Sequence, residues 1–233
     1  MNCYNGSKYL KDSLESIINQ TYNNWELIFW DNRSTDNSAK IFLSYKDKRF
    51  KYYLSDKHTP LAEARNLAIR NSSGEFLAFL DVDDTWEPSK LVKQIVVFEN
   101  KDVGLSYSNF FLLFNNEKKL KVSYKKKQPS GFILKKLLVN YNIAFLTVII
   151  RKEAYEKLNN KFNSNFSIIE DLDIVIRISI NWKIKYVDSL LGNCRIHANN
   201  YQRTFFNQKF LEFQKIILNF DIENNISNLK EYK

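Results

Sequence analysis

Three carboxylates, Asp81, Asp83 and Asp84, follow directly on an apolar run, Phe76-Leu77-Ala78-Phe79-Leu80. The run reads as a buried strand, and open α/β sheets bind ligands beyond the carboxyl ends of their strands. No basic residue stands among the three to neutralise them. Clustered carboxylates repel one another, and hard oxygen ligands are what Mg²⁺ or Mn²⁺ accepts. The chemistry this suggests is a divalent cation holding the phosphates of a substrate. The pattern alone is weak evidence. With 13 Asp in 233 residues, roughly one Asp-x-Asp arises by chance, and Asp171-Leu172-Asp173 is a second.

The elements around the cluster supply context. Leu10, Leu14, Ile17 and Ile18 recur at helical spacing, which predicts a helix over about residues 8–20. Trp25 to Trp30 reads as a strand ending at Asp31, and Ser34 to Ser38 offers N-capping chemistry for a helix near 36–46. Strands are expected at 50–54, 75–80 and 103–107, with a helix opened by Thr59-Pro60 and another after Pro88. Alternation in units of this length predicts a doubly wound α/β sheet, Rossmann-like, mostly parallel and flanked by helices. The second half changes texture. It carries a hairpin over 109–124, a short helix opened by Ser130, a strand at 146–150, a helix at about 171–181 and short strands near 184–188 and 192–197. Phe206, Phe210, Phe213, Ile216, Ile217 and Phe220 mark a closing amphipathic helix, expected to pack on the domain, with membrane docking as the alternative. One domain over 1–233 is expected, its texture changing between 1–107 and 108–233.

Composition narrows the class. An apolar content of 44% with 15% aromatic residues marks a packed globular protein. No window approaches the ~20 apolar residues of a spanning helix, and Met-Asn-Cys-Tyr-Asn is not a signal peptide. Two cysteines, Cys3 and Cys194, make no disulfide framework or metal-type pair, so a reduced, cytoplasmic protein is expected. The net charge of +9 suits phosphorylated substrates, an anionic membrane face or nucleic acid. No nucleic-acid-binding motif accompanies it, so no nucleic-acid partner is expected. The densest basic segment, Lys118 to Lys127, reads as a solvated loop.

Seven short motifs, in order, resemble the family 2 glycosyltransferases of GT-A fold. They are Cys3-Tyr4-Asn5-Gly6, Gln20-Thr21-Tyr22 with Trp25-Glu26, Asp31-Asn32-Arg33-Ser34-Thr35-Asp36, Ala64-Arg65-Asn66, Gly74-Glu75 with Asp81-Val82-Asp83-Asp84, Glu170-Asp171 and Arg195-Ile196-His197. The resemblance implies inverting transfer of a sugar from a nucleotide-diphosphate donor to a hydroxyl of a glycan or lipid-linked glycan, in surface polysaccharide synthesis. It also implies a divalent cation, Mn²⁺ or Mg²⁺, and allows peripheral contact with the inner membrane face. Asp83 is implied as the direct metal ligand, and Asp81 as a contact to ribose or metal-bound water. His197 is implied near the diphosphate or metal, against the ordinary expectation that a lone His is structural. Asp171 is implied as the general base, though a carboxylate at a helix N-terminus also caps. Tyr4, Asp31 and Asn32 are implied at the nucleobase, with helix cover, capping and turn formation as the alternatives. The family often has Asp-Asp-Gly where this chain has Asp-Asn-Arg, which leaves the base that is read open. Arg65 either braces a carboxylate or faces a phosphate. Asp84 either joins the cluster or caps the next helix, and His58 reads as structural.

One departure stands out. The family's first strand, about five apolar residues, is expected ahead of Asn2-Cys3-Tyr4. Losing about four buried Val or Ile side chains at ~1.5–3 kcal/mol each forfeits ~6–12 kcal/mol. The chain as given is therefore expected to be poorly stable, with an apolar strand encoded upstream. A catalytically incomplete nucleotide- or glycan-binding module is the alternative function.

Overall fold

The computed structural model describes residues 1–114, 119–197 and 206–219. Strand β1 (Asn2–Cys3), helix α1 (Leu10–Ile18), β2 (Leu27–Asp31), α2 (Ser38–Ser44) and β3 (Phe50–Leu54) open the chain. The three strands pair in parallel in the order β1-β2-β3, with Cys3 opposite Asp31 and Asp31 opposite Leu54. That register brings Tyr4, Asn32 and Ser55 to one edge. All five residues of β2 are buried, as a strand covered on both faces requires.

Helix α3 (Leu61–Arg70) buries Ala62, Ala64, Arg65, Ala68 and Ile69, and its small Ala64 and Ala68 pack directly on Ile28 and Trp30 of β2. Next come β4 (Phe76–Ala78), β5 (Thr85–Trp86), α4 (Lys90–Ile95), β6 (Val103–Phe114) and β7 (Lys119–Val122). The last elements are α5 (Leu134–Val139), β8 (Ile149–Arg151), α6 (Lys152–Glu156), α7 (Glu170–Asn181), β9 (Lys183–Ile196) and α8 (Phe206–Asn219).

A second sheet runs β4-β8-β6-β9-β5, with β7 on β6. It is mixed: β6 and β9 are parallel, whereas β4-β8, β6-β8, β5-β9 and β6-β7 are antiparallel. The α/β architecture is thus the expected one, but its strands are not mostly parallel. Strands made late in the chain, β8 and β9, insert beside β4, β5 and β6, and β8 enters in the opposite sense. A cavity of about 380 Å³ lies between β2 and β4, lined by Leu27, Ile28, Phe76, Leu77 and the α3 residues Ala68 and Ile69.

Several boundaries differ from expectation for identifiable reasons. Thr59 does not cap α3, because its amide and hydroxyl both reach Asn32 Oδ1, at 3.1 and 3.2 Å; Pro60 takes the cap position. Ser130 opens no helix, since its hydroxyl accepts from the Tyr186 amide and Gly131 bridges to Ile184. The two short strands near 184–197 are one, β9. In α8, Phe213 and Ile216 pack with Leu134, Phe166, Ile169, Leu172 and Ile176, so this face is covered by protein. Lys118, Phe220 and the side chains of Phe206, Phe210 and Ile217 lie outside the described residues. Among the described residues, no helix is long and apolar enough to cross a membrane.

Candidate active site

The chain leaves β4 at Ala78 and passes through buried Phe79 and Leu80 into the acidic segment. A turn closes there, with the Asp84 amide donating to the Asp81 carbonyl at 3.2 Å. Helix α1 grips this turn: buried Ser13 donates to the carbonyls of Val82 and Asp84, at 2.8 and 2.6 Å. The β1–α1 turn presses on it as well. A Cβ on Gly6 would sit 2.7 Å from Val82 Cγ2, so the position admits only glycine without a shift.

The end of β9 closes the site from the other side. The Arg195 amide donates to Asp84 Oδ1 at 2.8 Å, and Arg195 Nε donates to the Asp83 carbonyl at 2.9 Å. The same guanidinium pairs with Asp12 of α1 at 3.0 Å and lies over the Tyr9 ring. His197 Nε2 stands 2.9 Å from Asp83 Oδ2. Asp84 therefore caps no helix; it anchors β9. Burial pushes its carboxyl well above the ordinary range, with Asp83 and Asp81 adding to the rise and Arg195 opposing it.

Asp83 and His197 suit a small divalent cation. A carboxylate oxygen and an imidazole nitrogen meet here at hydrogen-bond distance, 2.9 Å, and both are atoms that such a cation would take as ligands. Among the described residues no third His, Cys, Asp or Glu completes a cage. An incomplete protein set is the ordinary arrangement where substrate phosphates and water supply the remaining oxygens.

Arg65 connects this region to helix α7. Its guanidinium is buried between the rings of Phe145 and Phe162, at 4.8 and 5.5 Å. Nη1 donates to Glu170 Oε1 at 2.7 Å, and Nη2 lies 3.6 Å from Asp81 Oδ1. It thus braces carboxylates. Glu170 Oε2 is buried without a hydrogen-bond partner, as is the Tyr141 hydroxyl. Burial pushes the Glu170 carboxyl up to about 7, against the pull of Arg65 and with help from Asp171. Asp171 is buried in the first turn of α7, its Oδ1 accepting from the Leu172 amide at 2.7 Å. The cap position belongs to Ile169, which has no side-chain acceptor.

At the β1–β2–β3 edge, Tyr4 is half exposed and its ring lies 4.2 Å from that of His58, centroid to centroid. Asp31 is 1% exposed and fully engaged, accepting from the Ser34 amide and the Tyr52 hydroxyl, both at 2.7 Å. Asn32 is also buried, donating to the Thr59 carbonyl at 2.7 Å. The structure pairs Asp83 with His197 and places Arg65 between Asp81 and Glu170, the chain neighbour of Asp171. Tyr4, Asp31 and Asn32 form the neighbouring edge. Sequence reasoning passed over Ser13 and Tyr9, gave Arg195 no role of its own within its motif, and read His58 as structural. Strand alternation places Arg195 and His197 on one face, a signal that was readable; contacts of Ser13 and His58 with distant segments were not.

Residues 1–158 match the family model described as Glycosyl transferase family 2. The chain is 31% identical over 218 residues to an Escherichia coli UDP-Glc:alpha-D-GlcNAc-diphosphoundecaprenol beta-1,3-glucosyltransferase, WfgD, covering 92% of this chain and 81% of that protein. It is 30% identical to a putative teichuronic acid biosynthesis glycosyltransferase of Bacillus subtilis, TuaG, covering 64% of this chain and 60% of that one. The fold resembles S. aureus TarS residues 1–349 in complex with UDP-GlcNAc, with a TM-score of 0.77, 18% identity and coverage of 99% and 69%. A Pyrobaculum calidifontis mannosyltransferase, PcManGT, in complex with GDP-Man and Mn²⁺ superposes with a TM-score of 0.67 at 15% identity, covering 86% of this chain and 56% of that one.

Proposed function

The chain belongs to glycosyl transferase family 2 and is a glycosyltransferase, and from that premise we propose that it moves a sugar, with inversion, from a UDP-sugar to a hydroxyl of a lipid-linked glycan. The observation that carries this reading is the position of Arg65. One buried guanidinium ties Asp81, on the donor side, to Glu170, the neighbour of the acceptor-side base. A single in-line displacement needs those two groups on opposite sides of one reacting carbon.

In this reading Tyr4 offers its exposed ring to the nucleobase, with His58 behind it. Asp31 and Asn32 hold that edge in shape through Tyr52, Ser34 and Thr59. Asp83 and His197 would hold a divalent cation, Mn²⁺ or Mg²⁺, and that ion would supply charge neutralisation for the diphosphate. Asp81 faces the ribose, oriented by Arg65. Asp171 accepts the proton of the acceptor hydroxyl as the new glycosidic bond forms and the bond to the diphosphate breaks. The net charge of +9 favours approach to anionic lipid-diphosphate acceptors, which supports peripheral work at the cytoplasmic membrane face.

The direct test is Asp171→Asn, assayed with UDP-glucose and a short-chain GlcNAc-diphospholipid. A positioned carboxylate base contributes ~10²–10⁴-fold, so transfer should fall by about that factor while UDP affinity stays. Normal transfer by this variant would remove Asp171 from the mechanism.

A further inference from the structure

Residues 121–142 hold six lysines and no carboxylate, and all six lysines are exposed. The fold brings two parts of this stretch together. The Tyr124 hydroxyl donates to the Asn142 carbonyl, and Asn142 Nδ2 donates to Gln128 Oε1 at 2.8 Å. Gln128 Nε2 in turn donates to the Lys126 carbonyl at 2.8 Å. Lys125, Lys126 and Lys127 are thereby fixed beside the segment that leaves α5. The loop is also pinned to the sheet, through the Tyr107 hydroxyl on the Pro129 carbonyl and the Tyr186 amide on Ser130 Oγ.

Helix α5 has a divided surface. Leu134 and Leu137 are buried, Lys135 and Lys136 are exposed, and Val139, at its last position, is 88% exposed. Lys135 and Lys136 precede Val139 by four and three positions, which makes them its neighbours on one helix face. An apolar side chain alone on a surface is ordinary. One framed by lysines, in a stretch without carboxylates, is what an anionic lipid surface attracts.

This face stands on the acceptor side. Leu134 packs with Ile169, Leu172 and Ile176 of α7, whose first turn carries Asp171. Tyr141, just past Val139, turns inward, and its hydroxyl is buried. Burial pushes that phenol well above its ordinary range, and nearby Asp171 adds to the rise.

We propose that Lys125, Lys126, Lys127, Lys135, Lys136 and Val139 form a face that docks on an anionic phospholipid bilayer, turning the Asp171 side of the molecule toward it. This rests on the reading of the acceptor as lipid-linked.

The test is co-sedimentation of the full chain with vesicles that contain no glycan acceptor. Vesicles of phosphatidylcholine with roughly a third phosphatidylglycerol should bind it, those of phosphatidylcholine alone should not, and salt should weaken the binding. Each lysine near such a surface strengthens binding about fivefold. The triple variant Lys125→Gln/Lys126→Gln/Lys127→Gln should therefore bind about 100-fold more weakly, and Val139→Ser about fivefold more weakly. Lys40→Gln/Lys46→Gln/Lys48→Gln removes the same charge from exposed positions in and after α2. An equal loss in that control would overturn the proposal, because binding would then follow net charge and not this face. Equal affinity for a DNA duplex, untouched by Val139→Ser, would overturn it as well. In turnover, the Lys125–Lys127 variant should match the unmodified chain on a short-chain soluble acceptor. On a long-chain polyprenyl acceptor held in the anionic vesicles it should fall about tenfold or more. An equal fall on both acceptors would place these lysines at the substrate and overturn the docking role. The two readings fail separately. Transfer to the soluble acceptor without vesicle binding removes only the docking face. Vesicle binding without transfer to either acceptor supports the face and removes the acceptor reading.

Discussion

Arg65 shows how much one side chain decides at this site. Its guanidinium is the cation nearest Glu170, and both side chains are about 5% exposed. Removing one partner of such a pair strands the other, at a cost of about 3–5 kcal/mol. Arg65→Met should lower the urea midpoint accordingly, and the loss should depend on pH. Glu170 already titrates near 7 in the fold, above its ordinary value, because of burial. A carboxyl raised in the folded state favours folding at low pH and loses that contribution as pH rises through its folded value. Without Arg65 the midpoint climbs further, so Arg65→Met should be more damaging at pH 8 than at pH 5. An equal loss at both would show that Glu170 is not the stranded partner. Asp83→Ala tests the other end of the crevice. It should abolish Mn²⁺-dependent binding of UDP in calorimetry while leaving the thermal melt intact, because Asp83 is partly exposed and pairs by its side chain with His197. EDTA-insensitive turnover in that variant would exclude the assignment.

Elements here are held by side chains that bridge segments far apart in sequence. Glu26 takes the Ser73 amide and hydroxyl and the Gly74 amide, and pairs with Lys51 of β3. Burial opposes ionisation, but these donors win and bring its carboxyl down to about 2. A depressed carboxyl stabilises above its unfolded value and loses that contribution as pH falls toward the folded one. Glu26→Gln should cost roughly 2 kcal/mol at pH 7 and little at pH 2. Chemical denaturation at the two pH values would reveal it. The same tethers explain which elements were legible in the sequence. Strand β2 and helix α7 were, because their apolar patterns are long and uninterrupted. The acidic segment and its strand end were as well. The start of α3 was not, because Thr59 serves Asn32, 27 positions earlier, instead of the helix. The single long β9 was hidden by Asp188, Ser189 and Gly192, polar or flexible residues that read as breaks. It forms because β6 pairs with it along nearly its whole length, through register shifts.

At the scale of the whole molecule, β9 is the strand on which the second sheet depends. It lies between β6 and β5, and its pairing with β6 joins Val103 to Lys183 and Phe114 to Ile196. A chain ending at Asn181 should therefore show no cooperative unfolding transition and no UDP binding, although every carboxylate of the acidic segment is present. A sharp melt of that fragment would mean that residues 1–181 fold without β9. Buried Lys90 adds a second test. Its ammonium reaches Gln94 Oε1 at 2.7 Å, and burial holds it well below its ordinary value. A lysine depressed in the fold makes stability rise with pH toward its unfolded value. Lys90→Met should flatten that rise between pH 7 and 9, as read from melting temperature. The latch formed by β9 also bears on when the enzyme becomes competent during its synthesis. Arg195 and His197 are made 111 and 114 positions after the carboxylates they hold, Asp84 and Asp83. At about 5–20 residues per second, a ribosome leaves the acidic segment unlatched for roughly 5–20 s. Over that interval a nascent chain carries the acidic segment without Arg195 or His197 beside it, and the proposed site is complete only once β9 has been made.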